Sequence, residues 1–298
     1  RELAAFSQFA SDLDDATMHH ANFSGGMLTF AHLRRADLMS TNLYQTNASY
    51  AYFMDANLTG SILNEATLNG ANFSGANLTN VQLMQTSLAG ANFSGAIIDG
   101  ANFGDITATG FTSFQLYSTA SYQQGNLQNI ILTSSNIPGW SFADQDLTNS
   151  DLAWVNLTGS DLTGSNMTNI SLDEATLSKA NISYANLNWA NLTEANLFNA
   201  KLTGTNLTNA DLDWAKLTNT VMNNAIVRGA SFYRATENGF HAGQLYSTAS
   251  HAMGDLREIK LRYNDLSGWE FSGQALGDAR FDRCTLVGTD FTAADLRG

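Results

Sequence analysis

Apolar side chains recur at every fifth position of this chain. From Leu13 the series runs Met18, Phe23, Leu28, Leu33, Leu38 and onward without a break to Phe103. Two residues before most of these sits a small one, as in Ala16, Ala21, Gly26, Ala31 and Ala36. The other three positions are polar or Gly, as in Ala71-Asn72-Phe73-Ser74-Gly75. A period of five fits neither the 3.6 of a helix nor the 2 of a strand. It fits a chain that turns a corner every five residues, with one large and one small side chain inside. Four units then make a square coil of twenty residues, and coils stack at about 4.8 Å, the strand spacing. The last polar slot is often Gly or Asn (Gly25, Gly60, Gly75, Asn80, Asn169, Asn209). Those residues best tolerate the positive φ that a type II turn demands at its third residue.

The register slips twice. It resumes at Leu127 after Phe103 and at Leu256 after Phe232. The two interruptions resemble each other: Gln115-Leu-Tyr-Ser-Thr-Ala-Ser121 repeats as Gln244 to Ser250, and Gly139-Trp140-Ser-Phe142 as Gly268-Trp269-Glu-Phe271. Each is read as a short helix lying on a coil edge, the first with Thr112 or Ser113 as its N-cap. The chain thus divides into 1–105, the tail of a first module; 106–235, a complete module; and 236–298, the head of a third. Because the pattern stops in mid-course at Ala294-Asp-Leu-Arg-Gly298, the native protein is expected to continue beyond one or both ends.

These units resemble those of the pentapeptide-repeat family, written A(D/N)Lxx, over nearly the whole sequence. The resemblance implies an all-β right-handed quadrilateral β-helix, here with two short helix/loop interruptions. It says little about activity. Some members resemble a B-DNA rod in shape and charge and inhibit or protect type II topoisomerase.

Composition narrows the function. Only 14% of the residues are charged, and 14 Lys and Arg stand against 27 Asp and Glu, a net charge of −13. That balance argues against direct nucleic-acid binding, which needs basic patches. No run of about 18 apolar residues exists to insert into a membrane. The single cysteine, Cys284, excludes a disulfide scaffold. It occupies an inward small slot, where a thiol behaves as a small hydrophobe. No cofactor motif is present, since the Gly-containing corners lack the Lys of a phosphate loop. His19, His20 and His32 do not supply the convergent ligands of a metal site. Ser118 and Ser121 have no neighbouring His and no nucleophile elbow. The chain therefore does not read as an enzyme. An acidic surface rich in Asn, Thr and Gly leans toward export.

Stepping by twenty residues reads columns of the stack. Inside, Phe53, Phe73 and Phe93 form an aromatic ladder, with Phe23 and Phe103 on the opposite face. Outside, Asp15, Arg35 and Asp55 alternate in sign, and Phe30 lies under Tyr50. The candidate contact surface is Trp154, Glu174, Glu194 and Trp214, four coils in one outward slot. Trp189 and Tyr184 are read as lying on the two faces next to it. Exposed aromatics clustered on a polar solenoid suit a protein partner, self-association, or a sugar stacked on the Trp faces. The function expected is a non-enzymatic structural or interaction solenoid. The alternative is a DNA mimic that binds a type II topoisomerase.

Overall fold

The computed structural model describes residues 11–297. Residues 1–10 and Gly298, where the terminal pattern was read, lie outside them. The chain forms two compact units, one ending at Asn136 and one beginning at Ile137.

Both units are parallel β-solenoids, without extended strands among the described residues. Each coil meets the next through isolated parallel bridges, one every five residues and offset by twenty: Asp12 to His32, His32 to Tyr52 and Tyr52 to Asn72 in the first unit, and Asp146 to Asn166 and Asn166 to Asn186 in the second. One unit of five accounts for all of its backbone donors. In the unit around Leu58, the N–H groups of Leu58 and Gly60 donate upward to Asn77 and Thr79, and that of Asn57 donates downward to Ala36. The N–H of Ser61 closes the turn on Leu58. The fifth donor, on Thr59, goes to the side-chain oxygen of Asn57 at 3.2 Å. This explains the Asp or Asn that so often precedes the Leu: it satisfies an amide that no backbone carbonyl of the neighbouring coil takes up. Where Thr follows Leu, its hydroxyl donates to the same oxygen, as in Thr59 to Asn57 at 2.7 Å.

The corners have the expected left-handed residue. It is Gly at many of them, such as Gly60 (φ 68°), but also Asp15, Glu65, Tyr184 and Trp154 (φ 57°). The core beneath is sealed. Phe53, Phe73 and Phe93 are fully buried and stack face to face, with centroids 4.9 and 5.2 Å apart. Buried hydroxyls in the small slot donate to carbonyls of the preceding coil, as Thr46 does to Phe23 and Thr205 to Ile182.

Each interruption is one enlarged coil. The bridge from Asn102 reaches Ile131 and that from Ser231 reaches Lys260, 29 residues on instead of 20. The first contains α1 (Ser113–Tyr117) and α2 (Ala120–Gln123), the second α3 (Ala242–Tyr246) and α4 (Ala249–Ala252), each pair preceded by a 3-10 turn. Thr112 is the N-cap of α1, as expected, and forms a capping box with Gln115. The second helix of each pair was not anticipated; its caps are Thr119 and Thr248.

The repeated motif does the work of the missing coil segment. The Gln115 amide donates to the carbonyls of Leu88 and Ala91 at 2.8 and 3.0 Å, and Gln244 does the same to Leu217 and Thr220. Ser121 Oγ accepts from the Ile98 amide at 2.9 Å, and Ser250 Oγ from Val227 at 2.9 Å. These two side chains carry backbone bonds that a regular coil would make with its own main chain.

Candidate functional site

The aromatic column belongs to the second unit. The amides of Trp154, Glu174, Glu194 and Trp214 donate to Asp173, Thr193, Asp213 and Tyr233, so the four do occupy one corner on four successive coils. All four are exposed and have positive φ, from 52° to 60°. A left-handed corner swings its side chain out of the coil, which leaves 55% of Trp154 and 61% of Trp189 in solvent. Both Glu side chains are outside any ion pair among the described residues.

One of the six candidate residues differs from its sequence reading. Trp189 is on the neighbouring corner, but Tyr184 is not beside the column. Ten residues separate it from Glu194, half of a twenty-residue coil, so it stands on the opposite corner. There its ring covers Gly204 of the next coil, with Cδ1 2.7 Å from where a Cβ on that glycine would lie. Tyr184 is 68% exposed, yet one of its faces serves the stack. Trp214 keeps its expected place but is partly covered. Its indole packs on Tyr233, with centroids 5.5 Å apart, and the Arg234 guanidinium lies 4.9 Å above it.

Arg234 shows that the column does not stop at Trp214. Its guanidinium is 5.4 Å from the Tyr263 ring on the next coil, and Arg283 stacks on the far side of Tyr263 at 5.2 Å. The corner thus continues as Trp214, Arg234, Tyr263 and Arg283, with aromatic and cation alternating across the second interruption. The 29-residue step hid this continuation from a reading in steps of twenty.

The other sequence features fall into place individually. Arg35 makes a bidentate pair with Asp15 at 2.6 and 2.7 Å, which holds the Asp15 carboxyl below its usual range. Asp55 does not bond to it. Phe30 and Tyr50 are stacked with centroids 5.3 Å apart. Cys284 is only partly buried; its thiol donates to Leu261 O and is pushed upward in pKa by desolvation. Ser118 and Ser121 donate to Gln115 O and to Asp99, so their hydroxyls serve the interruption. His19 pairs with Asp37, whose carboxyl is lowered by that contact. His32 meets Asp12 and Asp14, with potential ligand atoms all within 4.8 Å of one another. The sequence reading missed this group because its members lie on successive coils. Asp12 is exposed and Asp14 already accepts from the Arg34 amide at 2.7 Å, so the three do not form a prepared cation site.

No helix among the described residues is long and apolar enough to cross a membrane. No curated protein matches the chain. Similar solved structures include a pentapeptide repeat protein from the thylakoid lumen of Arabidopsis thaliana, 26% identical over 40% of this chain and 87% of that one, with a TM-score of 0.34. HetL, a pentapeptide repeat protein involved in heterocyst differentiation regulation in the cyanobacterium Nostoc, is 23% identical over 78% and 92%, with a TM-score of 0.25. QnrB1, a plasmid-mediated fluoroquinolone resistance protein, is 12% identical over 92% and 93%, with a TM-score of 0.22. The family model for pentapeptide repeats matches residues 16–49, 51–88, 68–105, 126–164, 156–193, 195–233 and 265–298. With its five-residue register carried by most of the sequence, the chain belongs to the pentapeptide-repeat family.

Proposed function

We propose that the chain is a non-enzymatic interaction solenoid, a right-handed four-sided β-helix. Its contact face is the corner of Trp154, Glu174, Glu194 and Trp214, flanked by Trp189. The observation that carries this is the exposure of Trp154 and Trp189 at corners where Gly or Asn would serve the backbone. An aromatic there presents apolar area to water, and such area clustered on a polar surface suits a protein partner. The two carboxylates between the indoles favour a partner with a cation to match them. The Gln115 and Gln244 amides and the Ser118 and Ser247 hydroxyls, bonded to backbone carbonyls, support a structural role for the interruptions.

Light scattering across concentration and salt tests the face, on the chain and on Trp154→Ala/Trp214→Ala. Association that the double variant loses supports self-assembly through this corner. Association that survives the double variant contradicts the assignment. Mimicry of DNA toward a type II topoisomerase is the weaker reading. Successive acids on one column are needed for it, whereas the column of the second unit passes from Glu194 to Arg234 and Arg283.

A further inference from the structure

An open pocket of about 600 Å³ lies on the second unit, between Trp189 and Tyr233. Its floor is one bridge column: Asn191, Asp211, Ser231, Lys260 and Arg280, each paired with the next. Asp213 and Arg262 stand beside that floor.

The two ends of the pocket differ in what they lack. At the acidic end, Asp211 accepts from the Asp213 amide at 3.0 Å, and Asp213 accepts from the Ser231 hydroxyl and the Tyr233 amide. At the basic end, Lys260 and Arg280 sit on adjacent coils, with no carboxylate of the described residues within ion-pair distance of either. Arg262 adds a third cation, held 3.1 Å from Asp282. Like charges directly opposite in a ladder repel. Lys260 and Arg280 are both exposed, and Lys260 is felt only at a distance by the Asp211 carboxylate. In a chain of net charge −13, two adjacent cations outside any ion pair at the rim of a pocket offer a place for an anion. The opposite end offers an indole face and carboxylate lone pairs still able to accept from hydroxyl groups.

We propose that this pocket binds an acidic oligosaccharide, a short chain of pyranose rings carrying carboxylates. One carboxylate pairs with Lys260 and Arg280. A ring lies against Trp189, and its hydroxyls donate to Asp211 and Asp213. The coils of Trp189 and Lys260 are three rises apart, about 14 Å, so the ligand is longer than one ring. Asp211 and Asp213 disfavour ligands that bring several negative charges and no donors.

Calorimetric titration with trigalacturonic acid, its methyl ester and inorganic sulfate tests the proposal. The acid binds, and the ester binds at least about tenfold more weakly. Lys260→Gln/Arg280→Gln and Trp189→Ala each weaken the acid by about tenfold or more. Thermal melting checks that these variants fold, and the double variant melts no lower than the parent because a repulsion has been removed. Trp154→Ala, at a residue that does not line the pocket, leaves binding unchanged. Failure of the acid to bind, equal binding of the ester, or binding that survives Lys260→Gln/Arg280→Gln overturns the proposal. Sulfate binding as tight as that of the acid and insensitive to Trp189→Ala overturns the sugar assignment.

Discussion

Replacing Asn186 by alanine removes a side chain that makes four hydrogen bonds. It accepts from the Asn188 amide at 3.3 Å and from Asn206 Nδ2 at 2.9 Å. It donates to Asn166 Oδ1 at 3.2 Å and to Thr168 Oγ1 at 2.8 Å. Each bond contributes about 0.5–1.5 kcal/mol net. The site is half-buried, so water replaces part of what is lost and the low end of that range applies, a total of about 2 kcal/mol. Asn188→Ala is the control: its own Oδ1 is buried without a partner, and truncation there costs less than about 0.5 kcal/mol. Urea denaturation followed by circular dichroism reads the difference in midpoint, and amide exchange reads its location. The Asn188 amide loses protection, while that of Leu187, bonded to Asn206 O at 2.7 Å, keeps most of its own. A cost for Asn186→Ala equal to the control, or unchanged exchange at Asn188, refutes the assignment of the fifth backbone donor to the Asn side chain.

Three further outcomes follow from the packing and charge of the stack. Phe73→Ala costs about 3–5 kcal/mol by cavity formation, and the two ring pairs it breaks add about 0.5–1.5 kcal/mol each; the midpoint of denaturation reads the sum, and Phe73→Leu recovers most of it. Gln115→Leu leaves the Leu88 and Ala91 carbonyls without their side-chain donor and destabilises the chain by about 1–3 kcal/mol, with exchange rising first in α1 and α2. Burial raises the Asp211 carboxyl above its usual pKa, an effect opposed by its bond from the Asp213 amide. A raised carboxyl favours folding fully only below its unfolded pKa and loses that contribution as pH rises through the folded value. Asp211→Asn therefore stabilises the protein at neutral pH, and the gain disappears in acid; stability curves of both proteins across pH check the sign.

Much of the architecture was legible in the spacing of apolar residues, because a five-residue period leaves only one place for Phe53, Phe73 and Phe93. The Thr112 cap was legible for the same local reason, a hydroxyl three residues before Gln115. The role of the Asn before Leu was equally available, since it stands two residues ahead of the amide it serves, but polar slots were read only as solvent-facing. Other features depended on knowing which coil follows which. Arg234 meets Tyr263, and Asp211 shares a floor with Lys260, only because the interruption lengthens one coil from 20 to 29 residues. Tyr184 was put beside the Trp column although ten residues carry the chain halfway round.

The contact face is the central functional claim, and site-specific photo-crosslinking tests it most directly. A benzophenone side chain introduced at position 174 lies between the exposed indoles, whereas one at position 164 stands on the opposite corner. Cross-linked products identified by mass spectrometry, from the purified chain and from an extract containing it, are expected from position 174 and not from 164. Equal products from both positions, or none from 174 in either setting, would contradict the account.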